Sequence, residues 1–84
     1  MTLITDNAGL SELPAGTEGL VEGVEGDDPL ARRLWDMGFW PGTAVQVVRH
    51  APFGGPTQYR MRGYRLVLRR DEAARVRMRV ERDG

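Results

Sequence analysis

Apolar positions recur along one stretch at helical spacing. Leu30, Leu34 and Met37 stand at i, i+4 and i+7, with Ala31 and Trp35 beside them and Arg32, Arg33 and Asp36 on the flanks, which predicts an amphipathic helix over about 29–37. Asp28 is a side-chain acceptor for an orphan amide of the first turn, and Pro29 suits the first helical position. Gly38 suits the left-handed residue that ends a helix, and Pro41-Gly42 then reverses the chain. Downstream the period changes to two. Val45 and Val47 alternate with Gln46 and Val48 in Thr43–His50; Tyr59 and Met61 face in if Arg60 and Arg62 face water. After Gly63, a kink between two strands or a bulge within one, Tyr64, Leu66 and Leu68 continue the inward set, and Val76, Met78 and Val80 alternate with Arg77, Arg79 and Glu81. Ala51–Pro56, with two prolines and a Gly-Gly pair, is a hairpin loop. Asp71 can cap a short helical turn near 72–75.

Upstream the pattern is thinner. Leu20, Val21 and Val24 support a strand within Thr17–Val24, weakened by Gly19 and Gly23. Ser11 can cap a single turn that brings Leu10 and Leu13 together to seal the base of the core. Residues 1–9 carry no such periodicity and read as a flexible tail, 10–81 as the domain and 82–84 as a second tail. The expected fold is mainly β: a small SH3-like antiparallel barrel of about five strands with the helix inserted after the first, since so few strands must curl to remove their edges. An OB-like barrel is the alternative.

At 84 residues only about 60 % of the unfolded chain's surface can be buried, so the core is small and leaves little room for a deep active site. The absence of cysteine excludes a disulfide scaffold, a thiolate metal site and a cysteine nucleophile. No long apolar run marks a signal peptide or a membrane span, so a cytoplasmic protein without membrane insertion is expected. A formal net charge of zero conceals a division. Residues 1–42 carry eight acids against two arginines and residues 43–84 ten arginines against four acids, −6 and +6, with no lysine anywhere. Base composition is the preferred explanation of that choice, and a basic face that docks on carboxylates or phosphates is the functional alternative.

The candidate chemistry is sparse. His50 is the only histidine, too little for a hydrolytic triad, and a divalent metal such as Fe2+ or Zn2+ would need carboxylates from elsewhere to join it, for example across a homodimer. Glu22, Glu25, Asp27 and Asp28 form an acidic run that reads first as a solvated loop capping the helix. No phosphate-binding glycine loop is present. The strand arginines with Tyr59 and Tyr64 raise a nucleic-acid surface, but the tyrosines alternate onto the core side, so nucleic acid is not the expected partner. Trp40 and Phe53, with Arg32 or Arg33, are the candidate protein-docking residues, because Trp and Arg dominate interface hot spots; the plainer alternative is that the rings cover the helix ends.

Three segments, Arg-Arg-Leu-Trp-Asp-Met-Gly-Phe-Trp-Pro-Gly (32–42), Ala-Pro-Phe-Gly-Gly-Pro (51–56) and Arg-Gly-Tyr-Arg-Leu-Val-Leu-Arg-Arg-Asp-Glu-Ala (62–73), together resemble the FeoA family of bacterial ferrous iron transport proteins over about Leu10–Val80. The resemblance implies an SH3-like barrel and a cytoplasmic, non-enzymatic accessory that contacts the membrane transporter FeoB, as a regulator of its GTPase or transport, with no required cofactor. The family pattern falls on Arg33, Leu34, Gly38, Pro41, Gly42, Gly55, Pro56, Gly63, Leu66 and Leu68. Most of these are explained as turn or core positions; Arg33 is not.

Overall fold

The computed structural model describes residues 3–83. The predicted helix, α1, spans Pro29–Met37: Asp28 accepts the Ala31 amide at 3.2 Å, and Gly38, at φ 108°, sends its own N–H back to the Leu34 and Trp35 carbonyls. Only a residue without Cβ adopts that φ without strain. Ala31 and Leu34 are buried, Leu30 and Met37 partly so. The Pro41-Gly42 turn closes with the Thr43 amide donating to the Trp40 carbonyl at 3.0 Å.

Around the helix runs one antiparallel sheet of six strands. They are β1 (Leu3–Gly9), β2 (Glu18–Val24), β3 (Ala44–His50), β4 (Thr57–Met61), β5 (Tyr64–Leu68) and β6 (Val76–Asp83), in the spatial order β1-β6-β2-β3-β4-β5. The core predicted from the alternation is there: Val45, Val47, Tyr59, Met61, Leu68, Val76 and Met78 are buried, and Leu10 and Leu13 close its base. Phe39, which the pattern left unplaced, is fully buried with them.

The structure corrects several expectations. From Leu3 onward the segment read as a tail is a strand, with Leu3 opposite Asp83 and Gly9 opposite Arg77, so Arg82 and Asp83 also lie in β6; Met1, Thr2 and Gly84 lie outside the described residues. Ladder hydrogen bonds are made by the backbone and need no apolar period, so Thr5, Asp6 and Asn7 pair while exposed. Asp6 adds an ion pair to Arg82 at 2.7 Å. Neither Ser11 nor Asp71 is the N-cap of its turn. At the turn Leu10–Glu12, Glu12 accepts the Gly9 amide at 3.2 Å, and at α2 (Arg70–Ala73) Glu72 accepts the Arg69 amide at 2.8 Å. Of the two readings of Gly63, the one between two strands holds and the bulge within one does not: with Arg62 it forms the two-residue turn between β4 and β5. Tyr64, expected inward, is 43 % exposed because it stands at the sheet's end, beyond the core.

Candidate docking surface

His50 ends β3, where its ring reaches two neighbours. Nε2 lies 2.9 Å from the Leu13 carbonyl and Nδ1 2.7 Å from Thr57 Oγ1. A carbonyl only accepts, so Nε2 donates to it, and in the neutral ring the Thr57 hydroxyl donates to Nδ1. A metal at either nitrogen would displace one of these partners. Among the described residues no group of three or more His, Asp or Glu side chains is placed to hold a cation. His50 instead ties the Leu10–Leu13 turn to the β3–β4 hairpin.

Beside it a cleft of about 290 Å³ is lined by Glu12, His50, Thr57, Tyr59 and Arg70 among others. Its polar groups face one another: His50 and Thr57 are bonded together, and Glu12 holds the Gly9 amide. Tyr59 is fully buried with its hydroxyl outside hydrogen-bonding geometry to any partner. Burial pushes its phenol pKa up, against a smaller opposing pull from Thr57.

The acidic run is partly structural. Arg75 forks onto Asp28, Nη1 to Oδ1 at 3.0 Å and Nη2 to Oδ2 at 2.6 Å, and Nη1 also donates to the Glu25 carbonyl. The hydrogen bonds from Arg75, then that from the Ala31 amide, lower the Asp28 pKa to about 2, and the same pair raises that of Arg75. One carboxylate thereby starts α1 and fastens it to the segment leading into β6. Arg77 pairs with Glu25 at 3.3 Å.

The proposed docking residues do not form one patch. Arg33 is ion-paired to Glu72, while Arg32 is exposed on α1. Trp40 lies before β3 and Phe53 after it, so the seven residues of β3 hold them roughly 20 Å apart. Phe53 is fully exposed at the tip of the β3–β4 loop, at φ 61°.

Trp40 instead gathers other partners. The left-handed turn at Gly38 sends Phe39 into the core and Trp40 outward, 46 % exposed. Its indole N–H donates to the Trp35 carbonyl at 2.7 Å, and the Tyr64 hydroxyl donates to the Met37 carbonyl at 2.8 Å. The tyrosine thus satisfies a carbonyl that the helix end leaves open, and the indole is a second donor to the Trp35 carbonyl, which already accepts the Gly38 amide. Arg62 lies over the Trp40 ring, its guanidinium carbon 4.0 Å from the centroid, with Nη2 donating to Thr43 Oγ1 at 3.3 Å. Arg62 has φ 54° and Gly63 φ 81°, as the first two positions of a type I′ hairpin turn require. Asn is the residue favoured at the first of these. An arginine there runs against local preference, the one mark in the sequence that Arg62 is used for something besides the turn.

The comparisons agree with this architecture. An NMR structure of an FeoA-like protein from Clostridium acetobutylicum superposes with a TM-score of 0.83 at 34 % identity, covering 92 % of this chain and 90 % of that one. FeoA of Stenotrophomonas maltophilia, crystallised with zinc and described as an SH3 domain protein, gives 0.74 at 39 % identity over 83 % and 87 %. A Porphyromonas gingivalis fusion of Fe(2+) transport protein A with the Fe(2+) transporter FeoB is 39 % identical over 67 residues, 80 % of this chain but 8 % of the fusion's length. The FeoA domain pattern matches residues 9–80. With a whole-domain match in both sequence and fold, the chain belongs to the FeoA family.

Proposed function

We propose that this protein is an accessory of bacterial ferrous iron uptake that acts at the cytoplasmic side by direct contact with an FeoB-type membrane transporter and performs no reaction of its own. The observation that carries the reading is the shelf of Trp40, Arg62 and Tyr64, an aromatic–arginine surface held rigid by three hydrogen bonds to the protein's own backbone and side chains. Such pre-positioned Trp, Tyr and Arg side chains lose little entropy on binding and are the residue types that dominate interface energetics. The Porphyromonas gingivalis relative, which joins both functions in one polypeptide, supports the pairing. Arg32 on the exposed side of α1 is the remaining helix contribution.

Co-purification with the transporter from detergent-solubilised membranes tests it. Trp40→Ala and Arg62→Ala should each reduce recovery about tenfold or more. Wild-type protein that fails to co-purify, or two variants that co-purify undiminished, would refute the docking surface.

A further inference from the structure

Between Asp36 and Asp71 the chain contains no acid and six arginines, at 49, 60, 62, 65, 69 and 70. The fold concentrates rather than disperses them. Arg60 stands directly opposite Arg65 across β4 and β5 and opposite Gln46 across β3 and β4, while Arg49 stands opposite Gln58, itself opposite Val67. Val45, Val47, Tyr59 and Met61 alternate with these residues into the core, so Gln46, Arg49, Gln58, Arg60, Arg65 and Val67 share the outer face of one three-stranded region. Among the described residues the ion pairs to Asp6, Asp28, Glu25, Glu72 and Glu81 involve Arg82, Arg75, Arg77, Arg33 and Arg79; Arg49, Arg60 and Arg65 have none.

Like charges in direct cross-strand register oppose folding. Among the described residues no ion pair offsets the Arg60–Arg65 juxtaposition, which leaves both guanidinium groups open to an anionic partner. We propose that the outer face of β3, β4 and β5 adsorbs to anionic phospholipid bilayers, with Arg49, Arg60 and Arg65 meeting lipid phosphates. This goes beyond transporter docking and does not depend on it.

The chemistry of the face selects the bilayer over other polyanions. Single-stranded nucleic acid is held by aromatic rings on which bases stack, and this face presents arginine, glutamine and valine with no ring. A protein partner would need an anchor and a pocket to fill, whereas a charged lipid surface rewards a spread of guanidinium groups without shape matching. At the end of the same hairpin Phe53 is fully exposed, an aromatic ring of the kind that settles at the headgroup boundary.

Co-sedimentation with protein-free vesicles tests the proposal without the transporter. The protein should pellet with vesicles of phosphatidylcholine mixed with phosphatidylglycerol, stay in the supernatant with phosphatidylcholine alone, and be released by high salt. At roughly fivefold per arginine near the surface, Arg60→Gln with Arg65→Gln should weaken binding on the order of 30-fold. Arg77→Gln with Arg82→Gln changes net charge equally on β6, which β2 separates from β3, and should leave binding within about threefold. Equal partitioning to neutral and anionic vesicles overturns the proposal. So do equal losses in the two double variants, release by inorganic phosphate where chloride of the same ionic strength does not release, or tighter binding to a single-stranded oligonucleotide than to anionic vesicles.

Discussion

Arg62 and Trp40 hold each other at the protein surface: the guanidinium carbon sits 4.0 Å from the ring centroid, from a backbone at φ 54° that an arginine does not favour. Exposed stacking of this kind contributes about 0.5–1 kcal/mol, and placing asparagine in the left-handed position recovers a similar amount. Arg62→Asn should therefore change unfolding stability by less than about 1 kcal/mol in urea denaturation while reducing transporter recovery about tenfold or more. A loss above about 2 kcal/mol would make Arg62 a structural residue instead.

Asp28 couples helix initiation to acidity. Its folded pKa, about 2, lies below the ordinary aspartate value of 3.8, so its pairing with Arg75 stabilises the fold fully above the unfolded value and fades as pH falls from about 4 toward 2. Thermal melts should show wild type losing more stability than Asp28→Asn over that interval, since asparagine keeps a capping oxygen but no charge. Parallel curves would remove the ion pair from the account.

Gly19 lies in β2 where it packs against β6. A Cβ added there would meet the Arg79 carbonyl oxygen at 2.9 Å and Val80 Cγ2 at 3.1 Å, contacts that only a shift of the strands relieves. Gly19→Ala should cost about 1–3 kcal/mol, read from the urea midpoint. At Gly23, where the same addition meets nothing within 4 Å, alanine should be tolerated within about 0.5 kcal/mol.

His50 joins Leu13 and Thr57. His50→Ala should cost about 1–2 kcal/mol through the two lost hydrogen bonds and raise amide exchange around Leu10–Leu13. Calorimetric titration with Fe(II) or Zn(II) should give the same trace for wild type and variant. A saturable signal lost in the variant would show that a metal competes for the ring.

The helix was legible because its signals are local. Asp28, Pro29 and Gly38 mark its ends within the sequence they terminate, and the structure places them there. The period-two strands were legible for the same reason. β1 was not, because its pairing with β6 is made by the backbone across the whole chain and requires no apolar period in its side chains. The docking residues were half legible. Trp40 and Phe53 announce themselves as rings too large for the core, but that one belongs with Arg62 and Tyr64 while the other stands across the length of β3 depends on sheet register. Neither did composition reveal that both nitrogens of His50 are engaged, since Leu13 lies 37 positions away.

The register of β1 on β6 sets Leu3 against Asp83, so the polypeptide enters and leaves the domain through one doorway. A short linker could join these two points, and new ends could then be opened at the β3–β4 loop without breaking a strand. Any polypeptide spliced on at either side would emerge from that same corner, which makes the domain a module that can be grafted into a larger chain with little disturbance to its interior.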